Sequence, residues 1–314
     1  MILLNLINGL FSTKTLSKIK LTNKLNKGLL MRNLLLKSYA KINICLNVVN
    51  KREDGYHELD MIMLPLELHD SILFSELKNA SDNFVTIDDF SLGLFKYNLA
   101  TQTIEKMQNR YKFDNRFRIT IHKVIPMQSG LGGGSSNAGA VIRAVNDYLK
   151  LNLPDNELID VATGLGADVP FFVFNKPARC TGIGEKLEFI NIKNDYYVLL
   201  VKPDQGCSTQ GVYEVSDKME LPMGNVNVVK KALEEGDDEL LAKSVFNALE
   251  APAISLVPEI QVIKEKLKAL GLKIVLMSGS GSCVFALSTD KKLIKNAAKV
   301  LEDQYLVEIT KVIK

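Results

Sequence analysis

The sequence predicts an α+β fold in two parts, on three observations. Strand-like runs precede helical ones without the regular alternation of a doubly wound parallel sheet. The 314 residues, 46% of them hydrophobic, are enough to bury one large or two ordinary domains. Composition breaks around residues 181–186, which divides the chain into residues 32–182 and 183–314 behind a basic extension, residues 1–31.

From Ser38 the pattern becomes regular. Ile42, Ile44, Leu46 and Val48 alternate with Lys41, Asn43, Cys45 and Asn47, the period of a half-buried strand, with Lys41 and Asn43 on its outward face. The polar run Lys51-Arg52-Glu53-Asp54-Gly55 ends in Asp-Gly, a hairpin signal, so a second strand should begin near Tyr56 and His57. Short apolar runs at 71–74 and 84–87 follow. Residues 98–112 carry the helical stripe Leu99, Ile104 and Met107. Phe117, Ile119 and Ile121 alternate with Arg118, Thr120 and His122, a strand ended by Pro126. Beyond a glycine-rich loop, Ala138, Val141, Ile142, Val145 and Leu149 have helical spacing. Residues 156–163 read as a further helix, and 168–173 follow a glycine turn. In the second part, 196–201 is a strand and 226–236, 238–249 and 258–270 are helical. Strands at 274–277 and 283–287 flank Ser278-Gly279-Ser280-Gly281-Ser282.

A net charge of +3 offers no electrostatic footprint for nucleic acid or a membrane surface, and no stretch approaches the ~18 apolar residues of a membrane span. Cys45, Cys180, Cys207 and Cys283 lack a C-x-x-C pair, and only His57, His69 and His122 supply imidazoles. Buried thiols in a reducing cytoplasm, and no metal centre held by the protein alone, are therefore expected. Residues 1–37 hold seven bases and no acid, the first acid being Glu53. Such a segment reads either as an organellar transit peptide or as translation from an upstream start, with Met31 the natural first residue. Lysine in place of arginine, and the absence of alanine, favour the second.

The stretch Gly130-Leu131-Gly132-Gly133-Gly134-Ser135-Ser136 lies between a strand and an amphipathic helix. Glycines let backbone N–H groups approach a ligand closely, and a helix N-terminus adds free amides and a positive dipole end, so the combination suits phosphate. Ser135 and Ser136 can cap the helix or offer hydroxyls to phosphate or its metal. No lysine follows to make a GxxxxGK[ST] loop, and a third glycine is missing from the dinucleotide fingerprint. Asp168, two residues before Pro170, reads either as a helix N-cap or as a general base for a hydroxyl substrate.

The run Pro126-Met127-Gln128-Ser129-Gly130-Leu131-Gly132-Gly133-Gly134-Ser135-Ser136-Asn137-Ala138 resembles the phosphate-binding motif of the GHMP kinase superfamily. The likeness extends to Ala40-Lys41-Ile42-Asn43, Gly55-Tyr56-His57-Glu58-Leu59, Gly166-Ala167-Asp168-Val169-Pro170-Phe171-Phe172 and Ser278-Gly279-Ser280-Gly281-Ser282-Cys283-Val284-Phe285. It implies an N-terminal ribosomal S5 domain 2-like domain, a C-terminal ferredoxin-like domain, and a site in the cleft between them. It also implies an ATP-dependent phosphotransferase with Mg²⁺ bridging the phosphates. Gly-Tyr-His after Ala-Lys-x-Asn selects members of non-mevalonate isoprenoid biosynthesis whose alcohol substrate carries a cytidine diphosphate. No nucleic acid, membrane or obligate protein partner is implied.

By the same resemblance, Lys41 partners Asp168 in catalysis, and Asn43 bonds the acceptor. Tyr56 and His57 hold the cytidine with Tyr213 as the opposing ring, while Ser208 and Thr209 reach the diphosphate. Asn98 and Leu99 lie near the adenine, although Tyr97 stands where an acid is commoner. Lys123 lines the nucleotide cleft or simply ends a strand. Gln128 and Ser129 replace smaller residues, which should alter loop contacts without loss of function. Other GHMP kinase activities, a silent nucleotide-binding protein and RNA binding through the S5-like fold are the rival readings.

Overall fold

The computed structural model describes residues 33–88 and 98–314; the basic extension and Tyr97 lie outside them. β1 (Leu34–Lys51) and β2 (His57–Leu77) form a long antiparallel hairpin, with Gly55 at φ +87° in its turn. β3 (Phe84–Ile87) precedes α1 (Leu99–Tyr111) and pairs in parallel with β4 (Arg116–His122). The helices α2 (Gly133–Leu149), α3 (Asp155–Thr163) and α4 (Val169–Phe174) come next. The hairpin of β5 (Ala178–Gly182) and β6 (Lys186–Phe189) joins the first half of β2, while β4 pairs with its second half. The expected division after 182 falls at the turn of this hairpin, and we propose to keep both strands with the first part.

β7 (Tyr197–Lys202) is followed by α5 (Thr209–Ser216), α6 (Val226–Glu235) and α7 (Asp238–Ser244). Then come β8 (Phe246–Asn247), α8 (Glu250–Leu256), α9 (Glu259–Ala269), β9 (Ile274–Met277), β10 (Val284–Ser288), α10 (Lys291–Leu301) and β11 (Leu306–Lys311). Four of these strands make an antiparallel sheet in the order β11-β7-β10-β9, the ferredoxin-like arrangement. Among the described residues the fold is thus α+β, with two sheets.

Two sequence expectations fail for identifiable reasons. The alternation at 41–48 does not separate an inside from an outside, because Lys41, Asn43 and Asn47 are at most 3% exposed. The pairing of β1 with β2 shifts between Tyr39 and Lys41 and again between Asn43 and Cys45. Such bulges re-aim side chains. Ile42 and Ile44 therefore pack with Leu200 and Phe285, whereas Leu46 and Val48 join Val201 and Ala286 in another cluster. The helix expected over 238–249 ends at Ser244, because Phe246 and Asn247 pair in parallel with Cys45 and Leu46 of β1.

That short β8 strand carries a brace. Asn247 Nδ2 donates to the carbonyls of Met277 (2.9 Å) and Gly279 (2.8 Å), and its Oδ1 accepts from Leu249 N (2.9 Å). A third cluster lies beneath α1 and α2, where Phe74, Phe117 and Ile119 meet Met107 and Val141. Gly139 lets α2 rest on α4, since a methyl group there would lie 2.8 Å from the Phe172 carbonyl carbon.

Gly139→Ala should therefore destabilise by about 1–3 kcal/mol through overpacking, although the same change in an open helix stabilises by about 1 kcal/mol. Asn247→Ala should lower stability by roughly 1–3 kcal/mol by leaving buried backbone groups unpaired. The denaturant midpoint, at unchanged slope, checks both.

Candidate active site

The loop between β4 and α2 is held from behind. Gln128 O accepts from Cys207 N (3.3 Å) and Ser282 N (3.2 Å), and Ser129 O accepts from Cys283 N (3.2 Å). Gly130 O accepts from Ser278 Oγ (3.0 Å), and Leu131 O from Lys41 N (3.1 Å). Two positions demand glycine twice over. Gly130 has φ +72° and packs so closely on the second glycine segment that a methyl group would lie 1.9 Å from Ser278 O; Gly132 has φ +74°, with Phe172 Cζ at 2.5 Å from such a methyl. The two glycine-rich segments are one packed unit.

α2 starts at Gly133 with Gly132 in the N-cap position and no side-chain cap, so the expected capping by Ser135 or Ser136 does not occur. The amides of its first turn have no acceptor within the helix, and no acid lies there to neutralise the dipole. Gly132, Gly133, Gly134 and Ser135 line a cavity of about 440 Å³ together with Pro126, Met127, Gln128, Ser129, Gly130 and Leu131. Ser136 does not line it. Its hydroxyl is buried 2.8 Å from that of Ser38, tying α2 to β1.

Lys41 and Asp168 meet across this cavity. The Lys41 ammonium is buried, donates to Asn43 Oδ1 (2.5 Å) and lies 3.8 Å from Asp168 Oδ2; the Asp168 side chain keeps 31% exposure. Burial pushes the Lys41 ammonium below its ordinary pKa of 10.5, against the attraction of Asp168. Asp168 does occupy the N-cap position of α4, but its side chain caps nothing. One amide that a cap would serve is missing, since Pro170 is the second residue of the helix. The carboxylate is left for Lys41 and the cavity.

Lys123 also lines the cavity, and its ammonium is paired with the buried carboxylate of Asp70. A methyl group on Gly133 would lie 3.0 Å from this ammonium, which places the charge at the start of α2. Among the described residues lining the cavity, these two cations face a single carboxylate, Asp168. Together with the helix N-terminus they favour an anion.

The remaining expected residues divide. Leu99, Asn43, Thr209 and Tyr213 line the cavity, and Thr209 shares a hydrogen bond with Ser280 Oγ at 3.0 Å. Asn98 is placed as the N-cap of α1, accepting from Thr101 N at 2.9 Å, and Ser208 caps α5 through Gly211 N at 3.4 Å. Tyr56 is exposed in the hairpin turn and is not the ring facing Tyr213. His57 is, with ring centroids 4.6 Å apart and planes inclined by 22°. His57 Nε2 lies 2.6 Å from Asp217 Oδ1, and Lys51 Nζ donates to Asp217 Oδ2 at 2.5 Å. These bonds hold the Asp217 carboxyl below its usual range. Burial pushes the Tyr213 phenol upward.

Sequence reading missed Asp70, Asn247 and Asp217. Local pattern does not single them out, because the partners that define their roles, Lys123 for Asp70, the Met277 carbonyl for Asn247 and His57 for Asp217, stand 30 or more positions away in the chain. Only the relation of Lys123 to the loop was visible.

Comparison with known proteins identifies the family. The description "GHMP kinases N terminal domain" matches residues 98–176, and "GHMP kinases C terminal" matches 229–306. The 4-diphosphocytidyl-2-C-methyl-D-erythritol kinase of Bacillus pumilus is 38% identical over 256 residues, 80% of this chain and 86% of its own length. That of Caldicellulosiruptor bescii is 35% identical over 85% of this chain and 93% of its own. A solved 4-(cytidine 5'-diphospho)-2C-methyl-D-erythritol kinase superposes with a TM-score of 0.75 at 29% identity, covering 90% of this chain and 100% of that one. The chain belongs to the 4-diphosphocytidyl-2-C-methyl-D-erythritol kinase family of the GHMP kinases.

Proposed function

We propose that this protein transfers the γ-phosphoryl group of ATP to the 2-hydroxyl of 4-diphosphocytidyl-2-C-methyl-D-erythritol. The observation that carries this is the Lys41–Asp168 pair, 3.8 Å apart, beside a cavity walled by the glycine loop. The loop amides and the start of α2 take the triphosphate, Lys123 adds positive charge, and Leu99 lies toward the adenine. Phosphoryl transfer is mainly positioning and electrostatics, and this site supplies both. Asp168 accepts the hydroxyl proton as the new O–P bond forms and the bond from the γ-phosphorus to the bridging oxygen breaks, releasing ADP. Lys41 stays protonated, orients the acceptor with Asn43 and favours the ionised carboxylate. The pyrimidine lies at the Tyr213 end, where stacking contributes on the order of 1–3 kcal/mol. Mg²⁺ neutralises phosphate charge when bound. The Ser135 hydroxyl and the Asp168 carboxylate suit an ion held largely by phosphates and water.

The deciding experiment compares Mg-ATP turnover on the cytidyl alcohol with turnover on homoserine and mevalonate. Activity confined to a non-nucleotide alcohol defeats the proposal. Asp168→Asn should lower kcat by about 10²–10⁴ with ATP binding nearly intact; unchanged turnover rejects Asp168 as the base.

The state of Lys41 sets an alkaline limit. The ammonium is fully protonated below its lowered pKa and loses the proton as pH rises through it. The alkaline limb of kcat should therefore fall below the ordinary lysine value of 10.5, and Lys41→Arg should displace it upward in a pH–rate profile.

A further inference from the structure

We propose that Asp70 is a positioning residue for nucleotide binding, holding the Lys123 ammonium beside the first turn of α2. The inference rests on reading this cavity as the ATP site. Asp70 lies on β2 and is fully buried. Its two oxygens have separate tasks. Oδ1 accepts from Val124 N and Ile125 N, both at 2.8 Å, and Oδ2 is paired with Lys123 Nζ. From the other side, Asp88 Oδ1 accepts from Lys123 N at 2.9 Å and Asp88 Oδ2 lies 2.6 Å from His122 Nδ1. The run 122–125, which leads into the phosphate loop, is clamped by two aspartates, but only Asp70 reaches the lysine's charge.

A lysine side chain is long and rotamer-rich, so an unanchored one samples many positions and its charge is largely shared with water. Pairing with a buried carboxylate removes that freedom, because the carboxylate cannot be left without a partner at low cost. The ammonium is then already in place when the phosphates arrive. Preorganised charge of this kind needs no rearrangement on binding, and that is where its advantage lies.

Asp70→Asn separates the two tasks. An amide oxygen still accepts from Val124 N and Ile125 N, whereas the amide nitrogen cannot accept from an ammonium. The thermal midpoint of Asp70→Asn should fall, because a buried amide N–H₂ loses its partner, and that of Asp70→Ala, which loses the backbone bonds as well, should fall further. Asp70→Asn should raise the KM for Mg-ATP and the Kd for Mg-ADP by roughly tenfold, with the KM for the alcohol unchanged. Lys123→Met should produce the same rise, and the double variant should be no worse than either single one, as for groups acting as a unit. Mg-ADP binding by Asp70→Asn equal to the parent's, a rise confined to the alcohol KM, or fully additive losses would each overturn the proposal. Should Asp70→Asn fail to fold, Lys123→Met decides: unchanged Mg-ADP affinity overturns it. A parent protein that binds no Mg-ATP defeats the reading of the cavity and this inference together; a binding parent with an indifferent Asp70→Asn defeats this inference alone.

Discussion

A lysine ammonium buried in the protein and held within reach of a single carboxylate is the constraint on which the rest depends. Lys41 is charged at neutral pH only if its burial is compensated, and Asn43 and Asp168 supply the compensation. The same residue's amide donates to Leu131 O, so the strand that carries the cation also fixes the glycine loop. Displacing β1 would move the ammonium and the phosphate-binding backbone together. Coupling of that kind keeps the proposed base, the acceptor and the phosphates in one geometry.

The second part of the chain serves this constraint from behind. The segment at 278–282 packs against Gly130 with no room for a side chain, and Asn247 holds the carbonyl of Gly279. A methyl group on Gly279 would itself lie 3.0 Å from the Lys41 ammonium. The glycines of both segments thus answer one steric requirement, backbone packed on backbone around a cation. Hydrophobic clusters shared by the two sheets, such as Ile42 with Phe285 and Leu46 with Val201, make this arrangement rigid.

Much of this was legible in order along the chain. The hairpin at Asp54-Gly55, the strand before Pro126, the helix after the glycine loop and the strands flanking 278–282 all stand where local pattern placed them. Local pattern failed where distant partners decide. The bulges of β1 reflect its partner β2 and reverse which core a side chain enters. The helix expected at 238–249 yields to two residues that pair with β1. Which of Tyr56 and His57 meets Tyr213 was likewise beyond local pattern; it is His57, the first residue of β2.

The sequence by itself determined the kind of site: glycines that only backbone contact explains, a helix start without acids, and one lysine and one aspartate in recognisable company. Residue type and near-neighbour spacing carry that much, because a helix N-terminus and a tight glycine turn are local physics. Tertiary structure decided which polar residues are buried and with whom. Lys41 reads as a solvated lysine, Asp168 as a helix cap and Asp70 as an ordinary strand acid until chain segments 53 to 127 positions apart come together. Burial and pairing depend on those long-range contacts, and they convert ordinary charged residues into fixed charges around a phosphate site.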